Sequence, residues 1–255
     1  MEAGNMPTIS EYNRFGEELE RALLLKTAPI AVKMLEKEED IPEGAIRPKR
    51  DRGYHLAQCQ AFAMTRRQGM TIAMLKEDHW CWAPLLAYGM VEDPHHPIVD
   101  ALTSLPRFEL GKYIGMVTAP LRSANFEPDM VLIYSNTAQL RDMIGVPKFV
   151  EKTTVKSEFD PIDSCVYSVV PTITTGEYRI TLPDPGEYSR AWAGEDEIIF
   201  SVPKDKLPGL VEGVKRSAEM KKNMDDWSHL LIRPDFPRPD FYKELFEKWG
   251  LDVED

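Results

Sequence analysis

Residues 55–81, HLAQCQAFAMTRRQGMTIAMLKEDHWC, hold the densest set of side chains capable of chemistry: His55, Cys59, His79 and Cys81. On a helix His55 and Cys59 share one face, because residues four apart are neighbours there. On extended backbone His79 and Cys81 point the same way. Imidazole and sulfur together suit a borderline or soft metal such as zinc or iron. Paired CxxC knuckles are absent. The competing reading makes both cysteines small buried hydrophobes and both histidines ordinary core or surface groups.

Cys81 has a second reading as a nucleophile with His79 or His55 as base. It lies between Trp80 and Trp82, just before an expected helix whose N-terminus favours a thiolate. Glu77 and Asp78 act in the opposite sense. The third cysteine, Cys165, opens the apolar run SCVYSVV and reads alone as core. If the fold brings it to Cys59 and Cys81, three thiolates could hold a cluster or metal and leave one position open. A different site is an apolar pocket edged by Trp80, Trp82, His79 and Arg190, which would take a small molecule.

Other charged runs read as solvated surface. They are IRPKRDR at 46–52 and the acidic Glu195, Asp196 and Glu197. No GxGxxG, P-loop, GxSxG or HExxH occurs, so dinucleotide, nucleoside-triphosphate, serine-hydrolase and zincin chemistry lose their usual support.

The elements that must position these residues follow from periodicity. Thr8 and Glu11 form a capping-box pattern before a helix, and PIAVKMLE at 29–36 reads as a strand. A helix is expected over 55–68, strands over 70–75, 112–121 and 129–135, and a helix capped by Asn136. A short helix is expected near 97–105. From 153 to 203 the β-branched and aromatic content predicts strands, SCVYSVVPTIT included. Helices follow at 204–220 and 241–249. The fold class is therefore α/β (α+β): a mixed sheet flanked by helices, more antiparallel in its second half. Residues 1–232 form one domain; 233–255 form a proline-rich segment and a helix that packs on the core or on a partner.

The chain has 255 residues and a net charge of −11, which disfavours nucleic acid and anionic membranes as partners. No apolar run reaches the roughly 20 residues of a membrane span, and the first residues do not read as a secretory signal, so the expected location is the cytoplasm. Three cysteines argue against a disulfide framework. Candidate partners are a small molecule, a partner protein, or a second copy in a homo-oligomer.

Four stretches resemble the prokaryotic family called domain of unknown function 169, found in archaea and anaerobic bacteria. They are APIAVKML, the Cys59-to-Gly89 segment with EDHWCWAPLLAYG, EPDMVLIYSNTAQLRDMI, and the run from Cys165 to EDEIIFSVP, together covering most of residues 25–215. The resemblance implies that Cys59, Cys81 and Cys165 occupy family cysteine positions. It also implies a further cysteine where this chain has Asp184, which would make Asp184 an unusual fourth ligand or mean that the site is lost in this chain. Three functions are carried forward: an iron–sulfur or zinc-binding, redox-related protein; a non-metal enzyme or small-molecule binder; and a subunit or adaptor of an anaerobic enzyme complex.

Overall fold

The computed structural model describes residues 7–93, 95–97, 105–221 and 240–251. The chain divides into two compact units, 1–218 and 219–255.

The first unit opens with α1 (Ile9–Leu23). Thr8 and Glu11 cap it reciprocally: the Glu11 carboxylate accepts from Thr8 N at 2.8 Å, and Thr8 Oγ1 accepts from Glu11 N at 3.3 Å. Leu24, at φ 51°, stops the helix in the left-handed region. Tyr12, Phe15, Leu19 and Leu23 form its buried stripe. Each such side chain stabilises the fold by roughly 1.5–3 kcal/mol.

Strand β1 (Ile30–Leu35) follows, then α2 (Pro48–Arg52), α3 (Gln58–Gln68), β2 (Ile72–Leu75) and α4 (Trp82–Ala87). Next come β3 (Gly115–Pro120), β4 (Met130–Ser135) and α5 (Thr137–Phe149). The second half contains α6 (Ser164–Tyr167), α7 (Val170–Thr175), β5 (Arg179–Thr181), α8 (Pro185–Arg190), β6 (Ile198–Pro203) and α9 (Leu207–Lys221).

The strands form one six-stranded sheet in the order β2-β3-β1-β4-β6-β5. The class is the expected α+β, and each named strand pair is antiparallel, in the first half as in the second. The period of 2 along each strand separates two cores. Ala31 and Leu35, Val131 and Ile133, and Phe200 and Val202 face the helices α1, α5 and α9. Ile30, Val32 and Met34, with Leu132 and Tyr134, face α3, α4, α6 and α7. The sheet is therefore sandwiched between helices, and its second face carries all three cysteines.

The largest departure from the sequence reading is at 164–175. SCVYSVVPTIT forms two helices, α6 and α7, where strands were expected. Val166, Val169, Val170 and Ile173 recur at helical spacing and pack on the second sheet face. Burial of that stripe overrides β propensity. Cys165 consequently lies in the first turn of a helix.

Two charged runs are also less bland than expected. In the 46–52 run, Arg47 is buried and its Nε donates to Asp78 at 2.6 Å. In the acidic run Asp196 is exposed against Lys26, but Glu197 is buried against Arg66. The helix expected near 97–105 and the proline-rich stretch before residue 240 lie largely outside the described residues. The second unit contains α10 (Asp240–Lys248), with ring contacts Phe241–Tyr242 and Phe246–Trp249. Gly250, at φ 67°, follows it in the left-handed region that suits a helix stop.

Candidate three-thiol site

Four short elements meet on the second sheet face. Helix α3 packs against α6 and α8, and α4 packs against α6. Each brings a chemically capable residue. Cys59 lies in the first turn of α3, Cys81 is the N-cap of α4, Cys165 lies in the first turn of α6, and Arg190 ends α8.

The three thiols lie on neighbouring elements. Cys59 packs with Ala57 and Ala191, Cys165 belongs to the large core of the second face, and half-buried Cys81 touches both groups. All three are free thiols. Burial pushes the Cys165 thiol well up, and Cys59 and Cys81 push it further. Burial likewise raises Cys59 to about 12, against a hydrogen bond from the Arg190 guanidinium that lowers it. Cys81 is raised by burial and lowered by the Ala83 N–H that donates to it. Burial thus acts on all three thiols in the direction of the protonated form.

Arg190 also lies 5.1 Å from the centre of the Trp80 ring, so one guanidinium touches Cys59 on one side and an indole on the other. Trp80 Nε1 donates to Gln60 Oε1 at 3.1 Å. Trp80 and Trp82 are 54% and 41% exposed, which places both indoles at the rim above the thiols and not beneath them.

Asp184 is buried, and both of its oxygens are engaged. Oδ2 accepts from Ser164 N and Oγ at 3.0 and 2.9 Å; Oδ1 accepts from Glu187 N at 2.9 Å. Asp184 thereby joins the start of the Cys165 helix to the start of the Arg190 helix. Tyr88 OH donates to the Cys165 carbonyl at 2.8 Å and secures the same turn from α4.

The histidines stand apart. His55 is exposed and precedes α3, so the shared helix face with Cys59 does not form. His79 is buried, and neither ring nitrogen has a hydrogen-bond partner. Burial lowers it to about 4; its charged neighbours are Asp78 and Glu77, with no thiol among them.

Glu187 escaped the sequence reading. It is 1% exposed, its carboxyl lies 2.6 Å from Ser164 Oγ, and it accepts from Tyr134 OH at 2.9 Å. Burial raises it to about 7, and it lies near enough to Cys59 to influence that thiol. The available sequence signal was its place three residues after Asp184, where a glutamate ordinarily turns back on the helix N-terminus. Here it turns inward.

Among the described residues, no three His, Cys, Asp or Glu side chains meet closely enough to hold a single metal ion. No helix among them is long and apolar enough to cross a membrane.

These features belong to a family already outlined by the sequence. Residues 18–213 match domain of unknown function 169, described as "Uncharacterised ArCR", and the chain belongs to that family. It is similar to the "Uncharacterized protein MJ0308" of Methanocaldococcus jannaschii, with 20% identity over 226 residues, 81% of this chain and 95% of that one. No solved structure matches it significantly.

Proposed function

We propose that Cys59, Cys81 and Cys165 hold an iron–sulfur cluster and that the protein is a redox-related member of its family. The observation that carries this is that three free thiols from three separate elements lie near enough to influence one another's protonation. A cluster distributes its thiolates over several irons, so it can draw on thiols from separate elements.

The surrounding groups fit an anionic centre. Arg190 supplies a fixed cation beside Cys59, and the Ala83 N–H already donates to Cys81. Each cysteine begins a helix, where backbone N–H groups lack helical partners. Ser168 Oγ, in the segment of Cys165, is a buried hydroxyl without a hydrogen-bond partner. When bound, such a cluster supplies one-electron transfer, and three cysteines leave one iron open to another ligand.

The chain's own residues then have distinct tasks. The thiols must lose their protons before they ligate, so loading is favoured by rising pH. Glu187 can exchange a proton at Oε near neutrality beside Cys59. Asp184 positions the α6 and α8 starts, and Trp80 and Trp82 limit water at the rim. Three free thiols suit a reducing compartment such as the cytoplasm.

The test is anaerobic reconstitution with ferrous iron and sulfide. A broad visible absorption that develops in the full chain and is lost in Cys59→Ala, Cys81→Ala and Cys165→Ala supports the reading. Equal absorption in all three variants contradicts it.

A further inference from the structure

Beside the thiols, a solvent-open cleft of about 140 Å³ runs between α3 and the end of α8. Arg67, Arg190 and Trp192 line it above an apolar floor of Leu56, Ala63 and Met64. We infer that this cleft binds a small planar anion, its carboxylate or phosphate between Arg67 and Arg190 and its aromatic body on Trp192.

The charge argument starts from Glu197. Arg66 takes both of its oxygens, at 2.8 and 2.9 Å, and Gly194 N also donates to Oε2. Arg67 approaches the same carboxylate only at 3.6 Å. Its other recorded bond goes to a neutral carbonyl, that of Trp192, at 2.5 Å. One carboxylate thus serves two guanidinium groups, and Arg67 is the surplus cation. It also lines a second hollow with Lys26, Arg66 and Arg122, whose charges are paired with Asp196, Glu197 and Glu20. In the proposed cleft itself Arg67 and Arg190 are the charged lining and no carboxylate is among the described residues around it, which favours an anionic ligand. The planar guanidinium fork matches carboxylate and phosphate oxygens.

The aromatic argument rests on Trp192. Its φ of 54° is left-handed, an unusual conformation for a bulky side chain. The Arg67 bond to its carbonyl holds this backbone, and the indole remains 76% exposed at the cleft mouth. An aromatic ligand lying on that indole would remove both surfaces from water.

Isothermal titration calorimetry on the full chain tests this with two anions and their uncharged counterparts. The probes are adenosine 5′-monophosphate with adenosine, and benzoate with benzamide. The expected result is binding of at least one anion, with its neutral counterpart weaker by about tenfold or more. Binding of the nucleotide alone assigns a phosphate ligand; binding of benzoate alone assigns a carboxylate. Arg67→Gln and Trp192→Ala should each weaken that binding by about tenfold while leaving reconstitution at the three cysteines unchanged. Both side chains reach solvent, so both variants should fold, and circular dichroism checks this. Absence of heat with both anions, equal binding of the neutral counterparts, or wild-type affinity in both variants would overturn the inference.

Discussion

The Arg190 guanidinium lies beside the Cys59 sulfur, at the end of a neighbouring helix, and acts to lower that thiol's pKa. The two residues are 131 positions apart in sequence, by the difference of their numbers. Asp184 ties the start of the Arg190 helix, α8, to the start of α6, and α8 packs against the Cys59 helix, α3. A cation is thereby set against a thiol that burial otherwise keeps protonated.

The three thiols should differ in reactivity. Cys81 is half-buried, whereas Cys59 and Cys165 are buried. In metal-free protein, iodoacetamide should modify Cys81 first, and faster as pH rises toward its raised pKa. Cys59 and Cys165 should react only after denaturant is added. Peptide mass spectrometry reads the order, and early modification of Cys165 would refute this account of burial.

Two buried acid–base groups should oppose each other in stability. His79 falls from its ordinary 6.5 to about 4, so its contribution is present above 6.5 and lost as pH falls toward 4. Glu187 rises from 4.5 to about 7, so its contribution is present below 4.5 and lost as pH rises through 7. Asp163, raised to about 6, has the same sign as Glu187. Urea unfolding of His79→Leu should therefore show stability falling more steeply from pH 4.5 to 7 than in wild type. Glu187→Gln should shift that slope the opposite way, by about 3 kcal/mol across the window. Parallel profiles for both variants and wild type would show that neither group titrates as described.

The Arg66–Glu197 pair is nearly closed to water, with side chains 1% and 6% exposed. The Arg66 guanidinium also lies 3.8 Å from the centre of the Tyr134 ring. Arg66→Met leaves a buried carboxylate with only the more distant Arg67, and should cost about 3–5 kcal/mol in chemical denaturation. Arg66→Met with Glu197→Leu should recover most of that loss, because no uncompensated charge remains. A double variant as unstable as the single would place the pair's contribution in packing and not in charge.

Local signals in the sequence located the elements whose determinants are local. The Thr8–Glu11 cap, strand β1, and the β4–Asn136–α5 unit all follow from neighbouring residues, and Gln139 completes the Asn136 cap as a reciprocal box. In the 164–175 segment β-branched content predicts strands, but the recurrence of Val166, Val169, Val170 and Ile173 at helical spacing lets two helices bury one stripe. At the site, the cysteines and Arg190 could be named in advance, but their placement on neighbouring elements depends on contacts across more than a hundred residues. Glu187 and the Arg66–Glu197 pair were hidden for the same reason. A charge's burial depends on which distant element covers it, and no spacing within the chain records that.

The central claim meets its most direct test in iron, zinc and acid-labile sulfide analysis of the full chain purified without oxygen. The account predicts iron and sulfide together, with no stoichiometric zinc, and their loss in Cys59→Ala, Cys81→Ala and Cys165→Ala. Stoichiometric zinc without sulfide, or a stably folded protein free of metal, would contradict it.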